Sequence, residues 1–338
     1  MGNIKKERIV EFDYMRVWLT LLVVVGHARH FGPFNVNFPK AGLADFAYSI
    51  VCVVIYSFHM PAFFALSGAC FTILIQKYLS EGFTPFVKSK FYRLIVPLLF
   101  TFAAVDFPIK YFSGFFKQYD LLDYFCVTSG KISHLWFLEA LFGVFIIIWI
   151  LTKYVKNVPL QFLIVTAIYV SSEFIPDWSW LKNPIVNSIW FYLGMTFAKF
   201  REPANLYMRT HSAWLYACVA TFLLMFCIKK FANYDAAVAI PVVILGTIIF
   251  YRLSLWCSDL NLFQTHISKW SANSLGVYLY AAPFRYPMFA LLLSHYGPTL
   301  FDSEIGFCVF IAADITIPII LAYAFTNLLR KFNMKYTY

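Results

Sequence analysis

Charge is what this sequence has least of. Only 13% of its 338 residues are Asp, Glu, Lys or Arg, against about a quarter in soluble globular domains. With 61% hydrophobic residues and a mean hydropathy of +0.69, the chain has too few polar side chains to cover a water-exposed surface. The bilayer is its natural solvent. Metal and disulfide spacing is missing too. The seven cysteines (52, 70, 126, 218, 227, 257, 308) form no CxxC and no Cys/His cluster, and most lie in apolar runs. They read as small buried hydrophobes, and no metal site is expected. The net charge of +10 comes without a basic stripe or a basic-aromatic motif, which points away from nucleic acid. MGNIKK lacks the Ser/Thr that a myristoylation signal wants at position 6. The first apolar run ends in HARHFGPF and not at a small-residue cleavage site, so it reads as a retained first helix. No long linker, repeat or low-complexity segment divides the chain, and 1–338 is expected to be a single integral membrane domain.

What is present is a succession of apolar runs. A transmembrane helix takes about 20 mostly apolar residues. Candidates lie near 14–31, 48–76, 93–112, 134–152, 160–175, 184–199, 212–229, 236–254, 271–293 and 305–328. The fold class is therefore all-α, a polytopic membrane helical bundle of about ten transmembrane helices. The 48–76 run is long for one crossing and contains His59-Met60-Pro61, where a kink is predicted, or else a long helix with one half outside the lipid. The 9 Trp and 22 Tyr suit the two membrane interfaces. With the N-terminus in the cytoplasm, 17 of the 27 Lys and Arg face the cytoplasm and 8 face outward, with Arg16 and Arg285 inside spans. An even number of helices returns the C-terminus to the cytoplasm, where RKFNMKYTY adds positive charge of its own. The expected location is the cell (inner) membrane, as a multi-pass protein.

Several ionisable residues fall inside the spans: Arg16, His27, His59, Asp106, Glu139, Arg285 and Asp314. Each costs at least a few kcal/mol there and by default faces a cavity or a partner. Arg285 and Asp314 suit a buried structural pair between the last two helices. Arg16 and His27 are eleven residues apart, about three helical turns, so they share one face at about 16 Å separation. A permanently charged planar donor suits phosphate, and an imidazole suits general-base work near neutral pH. An anionic donor entering from the cytoplasm, with its reactive end deeper in the membrane, fits that spacing, and coenzyme A has that form. An interfacial anchor arginine plus a hydrogen-bonded core histidine fits it as well.

Motifs in order along the chain add to this. RIVEFDYMRVWLTLLVVVGH (Arg16, His27), SFHMPAFFALSGACF (His59, Pro61, Ser67, Gly68), SKFYRLIVPLLF (Lys90, Arg93, Pro97) and HLWFLEALF (His134, Trp136, Glu139) resemble successive helices of the acyltransferase-3 family of integral membrane acyltransferases. WFYLGMTFA resembles that family's phenylalanine-glycine turn near the sixth helix. The nearest branch by resemblance is the glucans biosynthesis protein C-like one. The resemblance implies a membrane O-acyltransferase that moves an acetyl or succinyl group from cytoplasmic acyl-CoA to a hydroxyl of an extracytoplasmic glycan or other cell-envelope carbohydrate. Acyl-CoA is then a donor substrate, and no permanently bound cofactor is implied. His27 becomes the catalytic base, with Arg16 at the donor or orienting the histidine and Glu139 in the catalytic set. Lys90, Arg93 and Ser67 join Arg16 around acyl-CoA, and His59, His134 and Trp136 face the acceptor.

Plainer readings stand beside these. His59 could satisfy carbonyls freed by Pro61. Ser67-Gly68 lacks a Gly-x-Ser-x-Gly elbow and suits close helix packing. Lys90 and Arg93 also obey the positive-inside bias, and Trp136 suits an interface anchor. SANSLGVYLYAAPF resembles the family's ninth-helix motif, yet Ala281 and Ala282 stand where a histidine often follows. Many members carry a periplasmic esterase-like domain, and none follows the membrane part here, so action through the membrane domain alone or with a partner is expected. A secondary transporter of a small anion or lipid-linked sugar is the alternative function.

Overall fold

The computed structural model describes residues 8–28, 42–113, 134–176, 178–232, 235–296, 303–334 and 337–338, and among these it is helical nearly throughout with no strand. The helices are α1 (Val10–His27), α2 (Leu43–Tyr56), α3 (His59–Glu81), α4 (Phe83–Phe112), α5 (Trp136–Tyr154) and α6 (Val158–Ser171). They continue as α7 (Ser179–Lys199), α8 (Arg201–Thr210), α9 (Ser212–Ala232), α10 (Asp235–Asp259), α11 (Gln264–Tyr296) and α12 (Glu304–Lys331).

The described residues of each of the ten apolar runs are helical nearly throughout, as the need to satisfy every backbone group in lipid demands, and 29–31 lie outside the described residues. The run 48–76 divides in two. α2 ends at Tyr56 and α3 begins at His59, with Phe58 between them in a non-helical conformation (φ −144°, ψ −21°). Pro61 explains the place of the break. It is the third residue of α3, where a missing N–H leaves no carbonyl unpaired. Prolines also shape α4, and Pro97 of SKFYRLIVPLLF lies within this helix and not at its start. Val96 and Phe107 each reach back five residues, to the carbonyls of Phe91 and Phe102, in wide π-helical turns. Pro97 and Pro108 come next, and the ring of a proline has no room for the ordinary four-residue pitch behind it. α6 starts at an Asn157 side chain accepting from the Leu160 N–H at 3.0 Å, and α12 at Ser303 accepting from Gly306 at 3.0 Å.

Length and apolarity alone qualify five described segments to cross a membrane: Leu43–Glu81, Phe83–Phe112, Trp136–Tyr154, Val238–Asp259 and Glu304–Lys331. Arg201–Thr210 and Ser212–Ile228, bent by 96°, make a sixth if counted as one span. α8, which the apolar runs did not announce, is amphipathic, with Asn205 and Met208 buried and Leu206 exposed. α1 falls outside those five. It carries Glu11, Asp13 and Arg16, all on the side of the helix nearest its start.

α1 sits inside the bundle, packed on α3, α10 and α11. Its acid Glu11 accepts from Arg201 and from Asn205 (3.1 Å), and Asn205 accepts from the Tyr251 hydroxyl (2.7 Å), tying α1, α8 and α10 together. α3 and α7 touch backbone to backbone. A methyl group on Gly68 would lie 1.9 Å from the Phe191 carbonyl oxygen, and one on Gly194 would lie 1.9 Å from that of Ala65. The packing reading of Ser67-Gly68 therefore holds for Gly68. Gly194 of WFYLGMTFA lies within α7 and not at a turn. Of the cysteines, 52, 218 and 257 are buried, 227 and 308 are exposed, and Cys70 is half-buried; none of these six is in a disulfide, and Cys126 lies outside the described residues.

Candidate active site

A cavity of about 350 Å³ opens between α1, α3, α4, α5, α11 and α12. Four cations line it: Arg16, Lys90, Arg93 and Arg330. Among the described residues, no Asp or Glu lines it. A cluster of like charges in a low-dielectric wall is expensive unless something else supplies the anion.

Each cation is held differently. Arg16 donates to the Ser271 hydroxyl at 2.8 Å and to the Asp13 carboxylate at 3.3 Å, and its other nitrogen lies 3.6 Å from the Cys70 sulfur. Asp13 lies behind it, three residues back on the same helix, where it also accepts from Ser271 (2.6 Å) and from Arg8. Lys90 is buried. Its ammonium donates to the Tyr78 hydroxyl at 3.1 Å and lies over the rings of Tyr78 (4.3 Å), Phe145 (4.1 Å) and Phe86 (5.5 Å). Aromatic faces attract a cation, but Lys90 and Arg93 have no carboxylate partner among the described residues. Arg330 donates to the Ala272 carbonyl at 2.7 Å and lies 5.0 Å from the Tyr338 ring.

Ser67 lines the same cavity, so Arg16, Ser67, Lys90 and Arg93 are brought together as a set. Arg330 was missed as a site residue, because in the sequence it is one of several lysines and arginines after the last helix. Asp13, Cys70, Tyr78, Ser271 and Tyr278 were missed too. Asp13 had a signal of its own, standing three residues before Arg16 on a helix.

His27 lies elsewhere. The last α1 residue in the cavity wall is Thr20, seven residues and about 10 Å short of His27. His27 Nδ1 is 3.3 Å from the Tyr56 hydroxyl. That hydroxyl also donates to the Gly26 carbonyl at 3.2 Å. The Tyr56 ring stands edge-on between His27 (5.9 Å) and His59 (5.2 Å). His59 is buried and donates from Nδ1 to the Ile55 carbonyl at 2.7 Å, four residues back across the break before Pro61. The carbonyl four residues before Pro61 is that of Ser57, so this backbone bond is not the one weighed for His59.

His134 is not among the cavity's lining residues but is bonded to one of them. Its Nε2 donates to the Leu279 carbonyl at 3.0 Å, and the cavity residue Tyr278 donates to its own carbonyl. Trp136 packs edge-on to Phe137 at 6.4 Å, and Glu139 is half-buried on α5; neither lines the cavity. Ala281, where the resemblance has a histidine, is closely packed at 2% exposed.

Beyond His134 the charges are paired. Lys110, counted above as an outward-facing loop charge, is instead 1% exposed and bonded to Asp106 one turn earlier at 2.8 Å. Arg285 holds Asp314 with Nε 3.1 Å from both carboxylate oxygens and a second nitrogen on one of them. Both are buried, as read from the sequence for a pair between the last two helices. No group of three or more His, Cys, Asp or Glu among the described residues could hold a metal ion.

Comparison with known proteins agrees with the family resemblance. The nodulation protein NolL of Mesorhizobium japonicum (strain LMG 29417 / CECT 9101 / MAFF 303099) is 30% identical over 200 residues, which cover 57% of this chain and 48% of NolL. NolL of Sinorhizobium fredii (strain NBRC 101917 / NGR234) is 25% identical over 242 residues, 65% of this chain and 57% of that protein. The chain thus spans about half the length of the curated relatives it matches. They lend nothing to the narrower glucans-related branch. No solved structure matches. The acyltransferase domain model matches residues 9–325, nearly the whole chain, and the protein belongs to the acyltransferase-3 family.

Proposed function

We propose that this protein is a membrane O-acyltransferase of the cell (inner) membrane, with ten transmembrane helices and both termini in the cytoplasm. It takes an acetyl or succinyl group from cytoplasmic acyl-CoA and delivers it to a hydroxyl of an extracytoplasmic glycan or other cell-envelope carbohydrate. The observation that carries the reading is the cavity in which Arg16, Lys90, Arg93 and Arg330 converge with no Asp or Glu side chain among the described residues of the wall. The phosphates of coenzyme A supply the missing negative charge. Charge-assisted bonds from guanidinium and ammonium groups hold them, and Tyr78 and Ser271 keep Lys90 and Arg16 aimed. Ser67 lies deeper on α3 beside the pantetheine arm.

His27, about 16 Å along α1 from Arg16, acts on the reactive end. It takes the proton of the acceptor hydroxyl as that oxygen attacks the thioester carbonyl. The tetrahedral intermediate expels the thiolate, which leaves as coenzyme A after taking the proton from the imidazolium. The products are an ester and free thiol. Holding both reactants in line across one helix face lowers the entropic part of the barrier. Glu139 belongs to the catalytic end in this reading, and His59, His134 and Trp136 to the acceptor side, with Trp136 offering a sugar-stacking face.

The test is coenzyme A release by the purified protein in lipid nanodiscs, with acetyl-CoA and succinyl-CoA offered separately and a glycan acceptor present. Wild type is expected to release thiol with one donor. His27→Ala should lose turnover by about 10²–10⁴-fold with donor binding kept, and Arg16→Ala should weaken donor affinity. No release with either donor overturns the reading in favour of a transporter, and full turnover in His27→Ala overturns the assignment of the base.

A further inference from the structure

The chain after α12, read from RKFNMKYTY as positive loop charge, turns back to the cavity. α12 closes in a Schellman turn. The Asn333 N–H donates to the Arg330 carbonyl at 3.0 Å, and the Met334 N–H donates to the Leu329 carbonyl at 3.1 Å. Asn333 holds the left-handed conformation this needs (φ 56°), which asparagine tolerates better than most residues. Thr337 is tied back to the Met334 carbonyl through its N–H (3.2 Å) and its hydroxyl (2.8 Å). The fully buried Tyr280 of α11 donates to the Thr337 carbonyl. These bonds set Tyr338 into the wall of the cation-lined cavity, half-buried against the core.

Resting on the reading of acyl-CoA as the donor, we propose that Tyr338 and Arg330 form the subsite for its adenine end, with the base stacked on the Tyr338 ring and Arg330 on the phosphates beside it. The place holds both parts that a nucleotide asks for. Nucleobases stack on aromatic rings and on guanidinium planes, and Arg330 lies over the Tyr338 ring at 5.0 Å. Phosphates accept charge-assisted bonds from arginine. Arg330 donates to the Ala272 carbonyl at 2.7 Å, and Arg16 donates to the Ser271 hydroxyl at 2.8 Å. Ser271 and Ala272 are consecutive on α11, so the two guanidinium groups are held at neighbouring points of one helix. In coenzyme A the pyrophosphate and the ribose phosphate are both attached to the adenosine. Phosphate held by Arg16 and Arg330 therefore leaves the base within reach of the ring that Arg330 covers.

The subsite also gives the donor a direction. Arg330 is in the last turn of α12, so the nucleotide lies at that end of the cavity and the pantetheine arm runs on toward Ser67 of α3. A guanidinium donates in its own plane and stacks through its face, so Arg330 binds phosphate and stays on the ring at once. Packing alone would place Tyr338 with rings such as Phe325, which meets the buried Tyr280 edge-on at 4.9 Å. Tyr338 instead shares its wall with Arg16, Lys90, Arg93 and Arg330.

The test uses the full chain in nanodiscs, with coenzyme A titrated by calorimetry and its etheno-adenine analogue followed by fluorescence. Wild type should bind coenzyme A and quench the etheno-adenine emission, as stacking on an aromatic ring does. Tyr338→Leu should bind coenzyme A about tenfold to a hundredfold more weakly and lose the quenching. Tyr338→Phe, which keeps the ring, should retain both. A wild-type complex whose etheno-adenine emits as it does in free solution overturns the proposal, and this needs no variant to fold. A Tyr338→Phe protein as weak as Tyr338→Leu overturns it too, because the hydroxyl and not the ring plane would then serve the donor. Wild type that binds no coenzyme A sinks the acyl-CoA reading and the subsite with it. Binding that Tyr338→Leu leaves unchanged or tightens sinks the subsite alone, and tightening would mark Tyr338 as a plug.

Discussion

The two ends of the buried polar core treat charge in opposite ways. Around the start of α1, Arg16, Lys90, Arg93 and Arg330 face one cavity, and Asp13, the acid that Arg16 touches, stands behind it and outside the wall. Farther along, Lys110 meets Asp106 and Arg285 meets Asp314, with all four side chains buried. Both arrangements place fixed charge where water is scarce, so both are costly. The second offsets its cost within the protein. The first does so only when an anion arrives, which makes it a site and the other a piece of scaffold.

The largest effect that could break this contrast lies at Arg285–Asp314. Removing one partner leaves a buried charge uncompensated and costs about 3–5 kcal/mol, while replacing both with apolar groups is close to neutral. Arg285→Met or Asp314→Leu alone should lower the thermal unfolding temperature in detergent sharply, and the double variant should recover most of it. Single variants as stable as wild type would mean the pair is not compensating, and the far end would become a second candidate site.

A smaller, opposite effect is expected at Lys90. Its ammonium is held by aromatic rings and one phenol, with no carboxylate among the described residues to strand. Lys90→Met should leave the unfolding temperature unchanged or raised, yet weaken acyl-CoA binding about tenfold to a hundredfold, the worth of a charge-assisted bond of 1.5–3 kcal/mol. Titration of the donor by calorimetry reads the second quantity. A Lys90→Met protein that loses stability and keeps donor affinity would place Lys90 with the scaffold.

This division was only half legible in the sequence. The helices were, because lipid requires long apolar runs and internal backbone bonding. The break before α3 was, because Pro61 cannot donate. Arg16, Lys90 and Arg93 could be grouped because their motifs follow one another in a recognisable order. Arg330 could not, since a basic residue after the last helix obeys the same loop bias as any other. Lys110 misled for the same reason. A lysine near the end of a run looks like loop charge, and only the three-dimensional placement of Asp106 one turn earlier shows it buried. The α4 π-helical turns and the Tyr56 contact are likewise invisible to composition. Each depends on which carbonyl a donor reaches, and spacing alone does not fix that.

The smallest effect concerns a pair at the surface. Arg209 of α8 grips Asp259 of α10 with two nitrogens, at 2.7 Å and 3.1 Å, as neatly as Arg285 grips Asp314. The two side chains are 45% and 34% exposed. Water already solvates them, so geometry alone gains little, and exposed pairs contribute about 0.2–1 kcal/mol. α8 is fixed mainly by its buried end, where Arg201 and Asn205 meet Glu11 of α1. A double-mutant cycle of Arg209→Gln and Asp259→Asn should give a coupling below about 1 kcal/mol that fades as salt is raised. A coupling comparable to that of Arg285–Asp314 would show that bond geometry, and not burial, sets the worth of an ion pair in this protein, and the contrast between the two ends of the core would lose its physical basis.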